Sequence, residues 1–335
     1  MVAALCDESA PVRNALLPSA TKVAVFFGRQ MTRDTLLPML ITFLNDRDWE
    51  LRAALFDNLT GMSVFVGRDD TTAFIVPCIL SALTDYEHVV IEHALNALAS
   101  LCELGLLDKH TMVDVLRRQG MNMVIHPSLC VRAAAVSVIL AIARTLSLTE
   151  AHTKLLPVLR PFLKTADVVL ITEDTLLEEL RPPVSRAEFD RLIHSDSKTA
   201  ENLLAAFDSV ADVVEAKYSL GCLNFASASQ ASQNAVNHAF AQYDPSGAID
   251  FEDREKLILM RSYVRHTCSA TQAKIAMWES ENMERLRQGA QLGGEMTAYY
   301  TLSESIGCYR RPVGGESGPS NIAIVHVAII DCHQW

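Results

Sequence analysis

Short polar turns alternate with apolar runs of helical length over the first half of the chain. Four turns begin with Asp or His and reach Arg or Ile six residues later, at residues 7–13, 46–52, 85–91 and 126–132. Their last residues are 39, 39 and 41 residues apart, and a weaker fifth turn begins near 165–167. A constant step of about 40 residues indicates that one supersecondary unit is repeated along the chain.

Each step holds two helical segments. In the second unit, the apolar spacing predicts a first helix over about 32–44 and a second over about 49–66. The second has apolar residues at three- and four-residue spacing, which is typical of a core face: Leu51, Ala54, Leu55, Leu59 and Met62. A single helix pair cannot bury its apolar face, so neighbouring pairs must stack. Two-helix units of this length predict an all-α fold, a HEAT-repeat α-solenoid of antiparallel helix pairs.

Glycine and proline recur with nearly the same step. The glycines that follow a second helix are Gly28, Gly67 and Gly105, and the prolines inside apolar first helices are Pro38, Pro77 and Pro157. Glycine enters the left-handed conformation that ends helices without a Cβ clash. Proline removes a helical hydrogen bond, so its recurrence predicts a bend in several first helices.

The charged residues of the turns have a structural interpretation that we prefer to a ligand-binding one. We expect the carboxylates of Asp7, Asp46 and Asp85 to accept backbone N–H groups at the start of the second helix. Arg13, Arg52 and Arg132 should lie at equal heights along the stack, where each can meet the turn carboxylate of a neighbouring unit. Trp49 is the candidate partner contact, because tryptophan is enriched at binding hot spots.

The repeat pattern ends after the break at residues 181–185. We expect an array of about four to five units over 1–193 that begins inside a repeat, and a loosely ordered connector over 194–249, which is rich in Ser, Ala, Asn and Gln. A helix should follow over 250–288. The tail over 289–335 has no assigned role, and its apolar run at 322–330 is strand-like.

Charge and composition exclude several classes of function. The chain has 29 Lys and Arg against 40 Asp and Glu, for a net charge of −11. This balance argues against a nucleic-acid or anionic-lipid grip as the main activity. No run approaches the roughly 18 apolar residues of a membrane span, and no signal peptide opens the chain. The eight cysteines lie far apart without metal-ligand spacing, so we expect free thiols and no metal site.

No catalytic motif is present. The sequence lacks a phosphate-binding loop, a nucleophile motif and the protein-kinase set of motifs. Residues 242–253 resemble part of a calcium-binding loop, but Gln242 and Asp253 stand where such a loop needs a carboxylate and a bidentate Glu. A turn before a capped helix explains this segment better. We therefore expect no catalytic activity and no cofactor.

Two segments, VAVFFGRQ at 23–30 and ITFLNDRDWELR at 41–52, together with GLLDK at 105–109 and PVSR at 183–186, carry a resemblance. They resemble the HEAT-repeat region of the class III phosphatidylinositol 3-kinase regulatory subunit 4 family. The resemblance is good through about residue 193 and is lost after residue 288. It implies a non-catalytic scaffold segment, since the positions of the family's N-terminal kinase-like domain have no counterpart here.

The resemblance also implies partners and a location. The partners would be the class III phosphatidylinositol 3-kinase catalytic subunit and a Beclin-type subunit, in autophagy and endosomal sorting. The location would be cytoplasmic, peripheral to late endosomes and autophagosome-forming membranes. Two alternatives remain: a general HEAT-repeat adaptor, of the transport-receptor or phosphatase-scaffold type, or part of an enzyme if a catalytic region is attached.

Overall fold

A computed structural model describes residue 7 and the ranges 9–164, 173–195, 197–219, 230–241 and 249–291. The α-helices within them are α1 (Ala10–Leu16), α2 (Ala20–Met31), α3 (Leu37–Ile41), α4 (Trp49–Val66), α5 (Arg68–Asp70), α6 (Val76–Ala82), α7 (His88–Glu103), α8 (Lys109–Val115), α9 (Met121–Met123), α10 (Leu129–Thr145), α11 (Leu148–Glu150), α12 (Leu156–Leu159), α13 (Glu173–Glu179), α14 (Arg186–Ile193), α15 (Ser197–Ser219), α16 (Gln230–Phe240), α17 (Phe251–Leu259) and α18 (Arg261–Gln291). Short 3₁₀ segments occur at Leu17–Ser19, Thr42–Asn45 and Arg160–Phe162.

The helices stack as repeated pairs, which confirms the predicted all-α solenoid. The second helices of units 1 to 4 are α2, α4, α7 and α10. They lie side by side: α4 packs against α2 and α7, and α7 packs against α10. Helix α4 has the bounds Trp49–Val66 that the apolar pattern predicts. In the described ranges, the only extended pairing is an isolated antiparallel bridge between Leu163 and Leu180.

The core of unit 2 follows the predicted stripe, with one exception. Leu51, Leu55, Leu59 and Met62 are each no more than 1% exposed, and they join a continuous apolar cluster that runs through the array. Ala54, which the spacing also places on this stripe, is only partly buried at the margin of the cluster. A wide apolar stripe of this kind buries a helix against several neighbours at once.

Each bend in a first helix takes the form of a π-helical turn. Three of these turns are followed directly by an α-helical segment with proline in its first two positions: Thr32–Leu36, Thr71–Ile75 and Ala151–Leu155. The wider turn fits the missing N–H and the bulk of the proline ring. Unit 4 has the same turn at Leu116–Gly120 without a proline, so the bend belongs to the repeat and not to proline alone.

The repeated glycines adopt backbone conformations that favour glycine: Gly67 and Gly105 follow α4 and α7, whereas Gly28, expected to end its helix, lies at a kink inside α2. Gly28, Gly67 and Gly105 have φ values of 79°, 90° and 66°. At Gly67 there is a further constraint, because a Cβ atom would lie 2.7 Å from Nη2 of Arg29 in the unit before. The backbone of unit 2 thus passes directly beneath an arginine of unit 1.

Beyond the array the chain is more ordered than its composition suggests. Within 194–249, which we expected to be a loose connector, α15 and α16 pack together, and the Phe207 and Phe240 rings lie 5.1 Å apart between centroids. Both phenylalanines are fully buried. The helix expected over 250–288 is two helices, α17 and α18, separated at Met260. Phe207 and Phe240 belong to the same apolar cluster as the buried residues of the array.

The returning chain contacts the fourth turn of the array. The backbone N–H of Val184 donates to the carbonyl of Ile125 at 3.0 Å, and the N–H of Ser185 donates to Oδ2 of Asp253 at 3.3 Å. These bonds fix α14 and α17 near turn 126–132. By its contacts the chain divides into residues 1–272 and 273–335, and the described part of the second is the end of α18.

Some expectations fall outside the described residues. The fifth turn near 165–167, most of the loop at 242–248 and the tail from 292 onward, including the run at 322–330, are among them. At the described end of the calcium-loop-like segment, the Asp250 carboxylate caps α17 by accepting the N–H of Glu252 at 3.1 Å. No helix in the described ranges is both long and apolar enough to cross a membrane.

Candidate interaction surface

The four turns at 7–13, 46–52, 85–91 and 126–132 form one edge of the array, here called the turn edge. The first residue of each turn accepts the backbone N–H two residues later. The distances are 2.9 Å from Ser9 to Asp7, 3.0 Å from Asp48 to Asp46, and 2.9 Å from Glu87 to Asp85. These carboxylates therefore accept the N–H of the residue directly before each second helix, and this closes the turn at the helix start. In unit 2 the helix cap is Asp48, which accepts the N–H of Glu50 at 3.0 Å.

Arginines at the end of two turns connect consecutive units. Nη2 of Arg13 donates to Oδ2 of Asp46 at 2.6 Å. Arg52 makes a bidentate contact with Asp85, from Nε at 2.8 Å and from Nη2 at 2.9 Å. Charge-assisted, bidentate hydrogen bonds of this kind are among the strongest in proteins. We call this series of pairs the Arg–Asp ladder.

Each ladder arginine also holds its own turn. Nη1 of Arg13 donates to the carbonyl of Asp7 at 2.6 Å, and Nη1 of Arg52 donates to the carbonyl of Asp46 at 2.9 Å. One guanidinium therefore satisfies a backbone acceptor in its own unit and a carboxylate in the next. The planar, five-donor shape of arginine suits this double contact, which lysine could not reproduce.

The second pair of the Arg–Asp ladder, Arg52 with Asp85, is largely buried. The side chains of Arg52 and Asp85 are 4% and 12% exposed. Burial opposes the charged form of Arg52, but hydrogen bonds and Coulombic attraction to Asp85 and Tyr86 outweigh it, and the pKa of the guanidinium is raised above its ordinary value. The guanidinium carbon lies 5.0 Å from the centre of the Tyr86 ring, a distance at which cation–π attraction adds to the pairing.

At the junction of units 3 and 4 the ladder changes its chemistry. Ile91 stands where the other turns have arginine, and it is completely buried. Its counterpart on the next turn is His126, whose Nδ1 accepts the N–H of Ser128 at 3.0 Å, as the aspartates do elsewhere. At this junction Ile91 thus replaces the arginine and His126 replaces the aspartate of an Arg–Asp pair. Arg132 donates to the carbonyls of His126 and Pro127, and the next turn lies outside the described residues.

Aromatic side chains from beyond the array cover this junction. The His126 ring lies 4.9 Å from Tyr263 of α18 and 6.3 Å from Phe189 of α14, and the latter two rings stack at 5.8 Å with 7° between their planes. All three side chains are buried. The sequence offered no signal for this cluster, because its members lie far apart along the chain.

Burial makes His126 a neutral residue. Burial, with repulsion from His88 and Arg132, lowers the pKa of His126 to about 3. Its Nε2 atom has no hydrogen-bond partner in the structure. Since Nδ1 accepts a hydrogen bond, Nε2 carries the proton of the neutral ring. A second proton would place an uncompensated charge among aromatic rings.

We expect acid to destabilise the fold through His126. An unfolded histidine takes up a proton below about pH 6.5, whereas the folded one stays neutral until about pH 3. The unfolded state thus binds more protons in this window, and His126 should cost about 2 kcal/mol of stability between pH 7 and pH 5. Urea unfolding at both values measures this loss.

The matched control for this prediction is His126→Asn. The asparagine oxygen can accept the N–H of Ser128 but does not titrate. Its stability difference from the native protein should therefore narrow by about 2 kcal/mol as the pH falls from 7 to 5. A parallel pH dependence in the two proteins would show that His126 is not the group responsible.

A cleft of about 450 Å³ runs beside the ladder. Asp46, Arg52 and Asp85 line it from the turns, and His266 and Ala270 line it from α18. Trp49 is the first residue of α4, close to this region, and it is 40% exposed. The structure thus leaves the indole accessible, and its role as a partner contact remains a prediction.

The described groups supply contacts and ion pairs. Within the described ranges, no three His, Cys, Asp or Glu side chains are grouped so that they could hold a metal ion. Burial raises the pKa of the Cys78 and Cys268 thiols to about 11 and that of Cys102 to about 12. Among the cysteines that the structure describes, Cys130 is exposed, and these other three are buried.

Known proteins resemble the array. The family described as "PIK3R4-like, middle domain" matches residues 1–193. The Dictyostelium discoideum protein named "Probable serine/threonine-protein kinase vps15" is 37% identical over 213 residues, which is 61% of this chain and 11% of that protein. The Arabidopsis thaliana "Serine/threonine-protein kinase VPS15" is 41% identical over 175 residues, 52% of this chain and 12% of the relative.

A third relative, from Candida glabrata, is named "non-specific serine/threonine protein kinase" and is 31% identical over 191 residues, 57% of this chain and 13% of its own length. This chain thus spans a small part of the relatives' length. The matching family profile is that of a middle domain and covers more than half of the chain. The chain belongs to the PIK3R4-like (VPS15) family, and its residues 1–193 are the middle domain of that family.

Proposed function

We propose that this chain is a non-catalytic scaffold segment of the class III phosphatidylinositol 3-kinase complex, which mediates protein–protein contacts in autophagy and endosomal sorting. The observation that carries the proposal is the middle-domain match over residues 1–193. The relatives are named as kinases, but the matched part is their middle region. The stacked helices and the Arg–Asp ladder are suited to holding other subunits at fixed separations, because ion pairs join units 1, 2 and 3 and helix packing joins units 3 and 4.

The partners in this proposal are the class III phosphatidylinositol 3-kinase catalytic subunit and a Beclin-type subunit. The location is cytoplasmic, peripheral to late endosomes and autophagosome-forming membranes. A net charge of −11 favours protein partners over direct attachment to anionic lipid. Trp49 is the side chain that we propose as a contact on the turn edge.

Co-purification tests the proposal. The full chain is co-expressed with the tagged catalytic subunit and the Beclin-type subunit, and a phosphatase-scaffold HEAT protein of similar length serves as the control. We expect the chain, and not the control, to be retained. Retention should be weaker than that of a full-length family member, because separate binding modules reinforce one another through effective concentration.

Two results would contradict the proposal. Retention no greater than that of the control would favour a general HEAT-repeat adaptor. Transfer of phosphate from ATP by the purified chain would contradict its non-catalytic part, since no phosphate-cradling loop or kinase motif occurs in the sequence.

A further inference from the structure

A five-residue motif occurs once in unit 1 and once in unit 2. In each unit it lies at the end of the second helical segment that is farther from the turn. Residues 25–29 read VFFGR and residues 64–68 read VFVGR, 39 residues apart. Each motif carries the glycine with positive φ, which lies at a kink within α2 in unit 1 and directly after α4 in unit 2. A step of 39 from Phe65 reaches Leu104 of unit 3, which directly precedes Gly105.

Equal positions in a regular stack form rows. Phe26, Phe65 and Leu104 make one row, and Val25 and Val64 begin the row beside it. Phe26 is 86% exposed, Val25 62%, Val64 56% and Leu104 54%, while Phe65 is half-buried. We call these five residues the apolar patch. Contiguous exposed apolar residues on an otherwise polar surface mark interaction sites more often than isolated ones.

The fold explains the arginine of the motif but not its valine and phenylalanine. Arg29 lies over Gly67, with Nη2 at 2.7 Å from the place of a Cβ, and its Nε is 3.9 Å from the buried Asp70. Phe26, in contrast, has its ring 5.9 Å from that of Phe27 and is otherwise open to solvent. The contact with Phe27 therefore does not explain why the fold places the Phe26 ring in solvent.

The spacing of the rows favours a helix as the occupant. Packed helices lie about 8–10 Å apart, so consecutive members of a row are separated by about that distance. Residues i and i+7 of a helix are about 10.5 Å apart on one face. Residues on one face of a strand repeat at about 6.7 Å and 13 Å, which fits the rows less well. Three apolar residues at heptad spacing would therefore meet Phe26, Phe65 and Leu104.

The charge around the apolar patch argues against binding to a membrane and indicates the charge that a partner should carry. The segments 20–34, 61–70 and 100–109 together have five basic and five acidic residues. A balanced surface has little attraction for anionic lipid. The unit 1 end is basic, however, because Lys22 and Arg29 are exposed beside Phe26. A helix that is acidic where it crosses unit 1 would be complementary.

We infer that the apolar patch binds an amphipathic helix of another protein, with apolar residues at heptad spacing and carboxylates over Lys22 and Arg29. The apolar side chains lie across Phe26, Phe65 and Leu104, and the carboxylates pair with the two cations. This inference is independent of the proposed complex, since it rests on the patch alone.

The probe is a fluorescently labelled 21-residue peptide with leucine at heptad spacing, glutamate around the first leucine, and glutamine and alanine elsewhere. Binding to the full chain is followed by anisotropy. Phe26→Ser combined with Val64→Ser should weaken it at least about tenfold, because it removes a highly exposed apolar side chain from each of the two rows of the patch. Leu129→Ser is the matched control, because Leu129 is 64% exposed but lies on the turn edge; it should leave binding unchanged.

Two further peptides separate the features of the probe. A peptide with lysine in place of glutamate should bind at least about tenfold more weakly, because it meets Lys22 and Arg29 with like charge. A peptide of the same composition with its leucines scattered should not bind. Circular dichroism confirms that the serine variants keep the native helix content.

Several outcomes would overturn the inference. Binding of the probe to the serine variant as tightly as to the native chain would be one, and binding of the scattered peptide as tightly as the probe would be another. Patch-dependent binding to vesicles of 70% phosphatidylcholine and 30% phosphatidylserine would assign the patch to a membrane. A native dimer that the serine variant abolishes would assign it to a second copy of this chain.

Discussion

Replacing Arg52 by Met should destabilise the array by about 3–5 kcal/mol, since removal of one partner leaves a buried charge without compensation. The Asp85 carboxylate, 12% exposed, would keep the N–H of Glu87 but lose both guanidinium bonds. The carbonyl of Asp46 would lose its donor as well. Urea unfolding followed by far-UV circular dichroism measures the change.

Two variants test whether this loss comes from the buried pair. Arg47→Met changes an exposed arginine of the same turn and should alter stability by no more than about 0.5 kcal/mol. Arg52→Met combined with Asp85→Asn removes both charges, keeps an acceptor for the N–H of Glu87, and should recover part of the loss, because no buried charge is left without compensation. A double variant no more stable than Arg52→Met would contradict the uncompensated charge as the cause.

Leu55→Ala should cost about 2–5 kcal/mol, the range found for truncation of a buried leucine. Leu55 is 1% exposed in the middle of α4, and that helix packs against both α2 and α7. The cavity would therefore open at the centre of a unit with packed neighbours on both sides, where collapse is difficult. Denaturant unfolding of the two proteins gives the difference.

Val64→Ala is the control for this prediction. It removes apolar side-chain atoms from the same helix at a position that is 56% exposed, so its effect should stay within about 0.5 kcal/mol. If the two variants lose equal stability, the difference in burial between Leu55 and Val64 does not determine the energetics of α4.

The sequence predicted the array well because its signals are local and repeated. The 3–4 spacing of apolar residues located α4 with its observed bounds, and Gly67 marked its end. The spacing of the turns brought Arg13 and Arg52 to the height of a neighbouring carboxylate, and the structure brings both pairs together. In a regular stack, residues that are one repeat apart in sequence lie at the same height in neighbouring units, so the repeat length predicts which side chains can meet.

Other features could not be predicted, since they depend on contacts between distant segments or on details of backbone geometry. The cluster of His126, Phe189 and Tyr263 joins three segments without a shared motif. Asp48 caps α4 while Asp46 closes the turn before it, a difference that depends on the geometry of the turn. The packing of Phe207 on Phe240 could not be predicted either, because it joins two helices that share no motif.

The Arg–Asp ladder has a direction, and this limits how such an array can change length during evolution. Unit 2 offers the Asp46 carboxylate to the unit before it and the Arg52 guanidinium to the unit after it. A duplicated copy of unit 2 would keep every rung, because it brings both Asp46 and Arg52. Unit 3 has the carboxylate Asp85 but has Ile91 at the position of the arginine. If a copy of unit 3 were placed after it, the Asp85 carboxylate of the copy would face the apolar side chain of Ile91. Growth by duplication is therefore permitted on the N-terminal side of Ile91 and penalised at that junction.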